Sequence, residues 1–183
     1  MKKSTGIIAF GAAALVAAVS VSGDAAAQRR RAPTPVDGPH ISRCHMGGCG
    51  WIDISSVRTV RQTAAGRLVQ VTMREGGSEH RNNRYPRSAR GAHIRWNAAT
   101  SDNYFFCSTR RPTAVYRSDG AWTAIQLNPG SPSGASEAVT TTYSYVCHPG
   151  AEMTEARARR LGYHSEEGAE VTLQRPEDVL DLH

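Results

Sequence analysis

The chain has 183 residues, 22 Lys or Arg against 16 Asp or Glu, and a formal net charge of +6. Its only apolar run near membrane-spanning length is at the N-terminus, interrupted by glycine, which argues against a transmembrane protein. The charge is divided along the chain: residues 28–111 hold 15 Arg and 5 acids, residues 112–183 hold 5 Arg and 10 acids, and Lys2 and Lys3 are the only lysines.

Residues 1–27 read as a signal peptide, with Lys2 and Lys3 before an apolar stretch from Gly6 to Val21 and small residues at Ala25-Ala26-Ala27 as a cleavage site. The 156 residues that remain suit one domain, which can bury roughly 68–70% of its unfolded surface. Residues 28–39 begin with Arg29-Arg30-Arg31 and contain Pro33, Pro35 and Pro39, the composition of a flexible or polyproline-like arm. Residues 40–183 are then the folded, β-rich domain.

Strand signals come first at Trp51–Ile54 and Val57–Gln62, and Leu68–Met73 places Val69, Val71 and Met73 on one face. Ala64-Ala65-Gly66-Arg67 lies between them as a hairpin connection. Gly76–Gly91 lacks apolar periodicity and reads as a long surface loop. Further strands are expected at Ala92–Trp96 and Asn103–Ser108, then at Thr113–Arg117 and Ala121–Leu127 around Asp119-Gly120, a strong hairpin signal. Asn128–Gly134 is a loop, and Ala138–Cys147 is rich in Thr, Tyr and Val, which predicts a strand. Ala151–Leu161 predicts a short helix stopped by Gly162, Val171–Gln174 a strand, and Pro176–Leu182 a helical start. The fold class is therefore mainly β: a small antiparallel sandwich or barrel-like domain of about six or seven strands with one or two short C-terminal helices.

Cys44, Cys49, Cys107 and Cys147 predict two disulfides in a chain bound for an oxidising compartment, periplasmic or extracellular. Three pairings are open, and spacing favours one: Gly47 and Gly48 allow Cys44 and Cys49 to close a small ring, and Cys107 would then pair with Cys147 across neighbouring strands, with the crossed pairings as the alternatives.

Three functional readings follow. Arg81, Arg84, Arg87 and Arg90 recur every third residue around Tyr85. In a polyproline-type helix they would lie along one edge about 9 Å apart. With Arg95 and Tyr85 they would suit phosphate or sulfate groups, making an anionic polymer or membrane surface the expected partner. The bland alternative is a solvated loop whose arginines pair with acids of the second half. The second reading is soft-metal binding by His40, Cys44, His45, Met46 and Cys49, which requires free thiolates. The third is enzymatic, and it lacks a signature. Gly130-Ser131-Pro132-Ser133-Gly134 has proline at the nucleophile position, no zinc-binding helix or phosphate-cradling loop occurs, and Ser144 stands where a haem site ending in Cys147-His148 needs cysteine. A non-enzymatic protein without a cofactor is expected.

Ser133-Gly134-Ala135 resembles the inhibitory loop of periplasmic lysozyme inhibitors, small disulfide-containing β domains, and so implies an inhibitor of an envelope-acting hydrolase. The cationic first half of this chain opposes a cationic target.

Overall fold

Two short turns fix the outer hairpins of the sheet. Met46 and Gly47 have φ of 49° and 79°, and Asp119 and Gly120 have φ of 50° and 83°. Paired left-handed residues are what two-residue hairpin turns need to match the strand twist. They connect β1 (Pro39–His45) to β2 (Gly48–Thr63) and β5 (Thr113–Ser118) to β6 (Ala121–Gln126). Between them run β3 (Gly66–Glu79) and β4 (Arg95–Cys107), and β7 (Val171–Leu173) closes the order. All seven strands are antiparallel in one sheet, ordered as in the sequence. The computed structural model describes residues 36–150 and 153–182. The expected signal peptide and most of the expected arm lie outside them, whereas Val36 packs on the core and Pro39 opens the edge strand, where a missing N–H is tolerated.

Alternation along β3 builds two cores. Val69, Val71 and Met73 join Ile52, Ile54, Phe105 and Ala114 on one face. Leu68 joins Phe106, Val115, Ala124 and Leu173 on the other, closed by Val179 of the C-terminal 3-10 helix, Pro176–Asp181. The first face is covered by α1 (Glu137–Cys147), whose Tyr143 and Val146 are buried in it, and by Ala158 of α2 (Glu155–Arg160). Each such buried side chain is worth about 1.5–3 kcal/mol.

The strand expected at Ala138–Cys147 is therefore a helix. Val139, Tyr143 and Val146 are spaced by four and three residues, so one helical face meets the sheet. Thr142 and Ser144 hydroxyls donate to the carbonyls of Ala138 and Thr140, four residues back, which satisfies those two buried hydroxyls, whereas the buried Thr140 hydroxyl has no partner among the described residues. Burial on the exposed apolar sheet face outweighs a β preference of tenths of a kcal/mol per residue.

Other boundaries also shift. The two segments expected at 51–54 and 57–62 are one strand, bulged between Ile54 and Ser56 and between Thr59 and Arg61. Gly76–Glu79 continue β3, because Gly76 and Gly77 pair with Trp96 and Arg95 as well as with β2, so the surface loop is 80–94 and β4 begins at Arg95. The helix expected from Ala151 is α2, which starts after Thr154, whose side chain accepts the Arg157 N–H; Gly162, φ 86°, follows its end.

Both disulfides have the expected pairing, Cys44 with Cys49 and Cys107 with Cys147. The first ties facing residues of β1 and β2. The second ties the end of β4 to the end of α1, not to a neighbouring strand.

Candidate functional site

The basic loop and the first hairpin are built as one unit. Gly47, at the β1–β2 turn, accepts a hydrogen bond on its carbonyl from the His80 N–H at 2.6 Å and donates its own N–H to the Tyr85 hydroxyl at 3.0 Å. That hydroxyl donates in turn to Asn83 Oδ1 at 2.9 Å. Behind the turn the Trp51 indole donates to Ser78 Oγ at 2.6 Å, and the same Oγ shares a hydrogen bond with His80 Nε2 at 2.7 Å. Tyr85 is thus an anchor of the loop, half-buried, rather than a freely stacking aromatic.

The extended ladder of arginines does not form. Asn82 and Asn83 take left-handed φ of 60° and 53° within a short 3-10 turn, and Gly91 turns the chain again at φ 75°. Asparagine tolerates that region, so the sequence between the arginines bends the chain and the three-residue spacing loses its common edge. Arg81, Arg84, Arg87 and Arg90 are nevertheless all exposed, and no carboxylate among the described residues lies within ion-pair distance of them. From His80 to Arg95 the sequence holds five arginines and no acid. Arg95 alone is paired, with Glu79 at 2.5 Å, and that pair is exposed. Among the described residues, the acids of the second half make no ion pair with this loop, and their one ion pair with the basic half is Arg43–Glu137 at 2.9 Å.

Beside the loop, register across four strands makes a groove. Arg43 pairs with Gly50, Gly50 with Gly77, and Gly77 with Arg95. Two arginines on β1 and β4 therefore stand at the ends of one row, about 14 Å apart at a strand spacing near 4.8 Å. The two residues between them have no side chain. The resulting open groove has a volume of about 450 Å³; Gly48 extends its floor, and Ser42, His45, Glu79 and Ala138 of α1 complete its walls.

The free thiolates that the soft-metal reading requires are not found. Cys44 and Cys49 are bonded to each other, so neither is a thiolate. His40 stacks on Tyr145 at 4.1 Å, and burial lowers its pKa against the opposing pull of Asp37 and Asp53. His45 and Met46 point into solvent at the turn. No group of three or more His, Cys, Asp or Glu able to hold a metal occurs among the described residues.

One polar network had no signal in the sequence. His148 Nε2 lies 2.6 Å from the Tyr163 hydroxyl, which lies 2.9 Å from that of Tyr143, which donates to the Ser108 carbonyl at 3.2 Å. Three contacts need three protons, so Nε2 of His148 carries one. Burial, then Arg157 and Arg67, lower the His148 pKa, and burial raises those of both tyrosines. The chain of hydroxyls leads from a half-buried imidazole to a buried carbonyl.

Ser133, Gly134 and Ala135 are exposed, in a loop held by Glu167, whose carboxylate accepts the Ser133 N–H at 2.6 Å and the Ser136 hydroxyl. Trp51 is buried, while the guanidinium groups of Arg74 and Arg117 lie over Trp96 and Trp122 at 4.5 and 4.9 Å. No described helix is long and apolar enough to cross a membrane. No protein-family model, curated protein or solved structure matches the chain.

Proposed function

We propose that this chain is an exported, non-enzymatic binding module that docks on phosphate- or sulfate-bearing surfaces through Arg81, Arg84, Arg87 and Arg90, supported by Arg95. Two disulfides in a small β domain suit an oxidising compartment, periplasmic or extracellular. The observation that carries the reading is that the four exposed arginines have no carboxylate partner among the described residues. Exposed guanidinium groups so placed are suited to bidentate contacts with external anions. The anchors at Gly47 hold the N-terminal part of the loop in place before binding, which lowers the entropy lost on docking.

The test compares the native chain with a variant carrying Arg81→Gln, Arg84→Gln, Arg87→Gln and Arg90→Gln, on heparin and on vesicles of phosphatidylglycerol and phosphatidylcholine. An arginine near an anionic membrane contributes about 1 kcal/mol, so the variant should bind vesicles about a thousandfold more weakly while keeping its fold. Equal binding by the two proteins would refute the reading.

A further inference from the structure

The most exposed large apolar side chain of the described fold is Met46, at 85%, and it sits where apolar residues are least at home. Its φ of 49° is a left-handed conformation that Asn or Gly adopts at lower cost. Among the described residues nothing repays methionine at this position, since a side chain this exposed buries little area. A residue that breaks a local rule with no internal gain points outward for its reason.

The surroundings show what the reason is. The turn cannot fold back to hide Met46: the Cys44–Cys49 disulfide ties the strands immediately behind it, and both backbone groups of Gly47 are held, by His80 and by Tyr85. Arg81 and Arg84 are each one residue from those two anchors, hence within about 4 Å of them along the backbone. The same loop carries Arg87 and Arg90 and no acid. A rigid apolar tip and the start of a loop whose arginines have no carboxylate partner among the described residues are thus neighbours.

We propose that the tip and the loop form a lipid-docking surface, in which Met46 enters the boundary between headgroups and acyl chains while the loop arginines engage headgroup phosphates. The inference rests on the anionic-surface reading and narrows it, because a soluble polyanion offers the arginines partners and offers Met46 none. Stable attachment to a bilayer takes two weak signals, and the fold supplies one of each kind. His45, exposed beside Met46, stays at the headgroup level.

The experiment measures partition of the full chain onto vesicles of equal parts phosphatidylglycerol and phosphatidylcholine, and in parallel onto heparin. Met46→Asn suits the left-handed turn and so preserves the hairpin. It should weaken vesicle binding about fivefold and leave heparin binding unchanged. Oxidation of Met46 by dilute hydrogen peroxide, followed by peptide mass, should slow on vesicles and not on heparin. Equal vesicle binding by Met46→Asn, with Met46 oxidised as fast on vesicles as in solution, would overturn lipid docking while the four-arginine variant still tests the anionic reading separately. If the arginine variant also binds vesicles and heparin undiminished, both fail together.

Discussion

Tyr85 and Gly47 lie 38 residues apart in sequence, and the tyrosine hydroxyl accepts the glycine N–H at 3.0 Å. This bond joins the basic loop to the hairpin turn, so loosening it should loosen the loop without unfolding the sheet. Tyr85→Phe keeps the ring and removes the acceptor, at a cost of about 1 kcal/mol. Trypsin should then cut after Arg81 and Arg84 several times faster than in the native chain while the melting of the core changes little. Equal cleavage rates would show that the loop is held by something else.

The two disulfides should differ in worth. The Cys44–Cys49 ring spans 5 residues and the Cys107–Cys147 loop 40, so chain entropy gives about 2 and about 4 kcal/mol. Replacing Cys107 and Cys147 with alanine should lower the melting temperature clearly more than replacing Cys44 and Cys49, which should mainly release the hairpin tip. Denaturant unfolding of the two double variants measures the difference, and the reverse order would contradict the placement of α1.

Much of this fold was legible because its signals are local. Asp119-Gly120 demanded a tight turn, and the alternation of Val69, Val71 and Met73 marked a core-facing strand. The helix at Glu137–Cys147 was not legible, since Thr, Tyr and Val favour strands and the decisive force is an apolar sheet face needing cover. The Cys107–Cys147 pairing was inferred from neighbouring strands; the pairing holds although its second partner ends a helix. In the candidate site, the arginines announced themselves by composition. Their ladder geometry did not follow, because Asn82 and Asn83 bend the chain. The row from Arg43 through Gly50 and Gly77 to Arg95 depends on the register of four strands, which only the folded sheet reveals.

Stability should depend on His148. Its pKa is lowered from 6.5 in the fold by burial and by Arg157 and Arg67, so the folded chain prefers the neutral ring. A group whose folded pKa is depressed lends stability that is present above its unfolded value and lost as pH falls. The melting temperature should therefore drop as pH is taken from 7.5 toward 5, with the change beginning around 6.5. His148→Gln should flatten part of that drop and leave the part due to His40, which is shifted the same way. Parallel curves for the two proteins would remove His148 from the account.

Gly76 is glycine because the start of β4 closes over it. An added Cβ would meet the Trp96 ring at 2.8 Å, the Arg95 carbonyl at 2.9 Å and the Ile94 side chain at 2.9 Å. Gly76→Ala must push β4 away at the base of the arginine loop, and should destabilise the fold by about 1–3 kcal/mol and perturb the Arg95–Glu79 pair. Chemical denaturation checks the first effect, and unchanged stability would mean that β4 is not seated there.

We propose that four arginines of loop 80–94, without a carboxylate partner among the described residues, make this chain a ligand for anionic surfaces. The most direct test of this claim is the affinity of the native chain for phosphatidylglycerol-containing vesicles, measured across a salt series from low to moderate ionic strength. Screening and counterion release predict that the logarithm of affinity falls steeply with the logarithm of salt, and that the slope shrinks when Arg81, Arg84, Arg87 and Arg90 become glutamine. Affinity that does not change with salt, or a slope indifferent to those four residues, would contradict the claim.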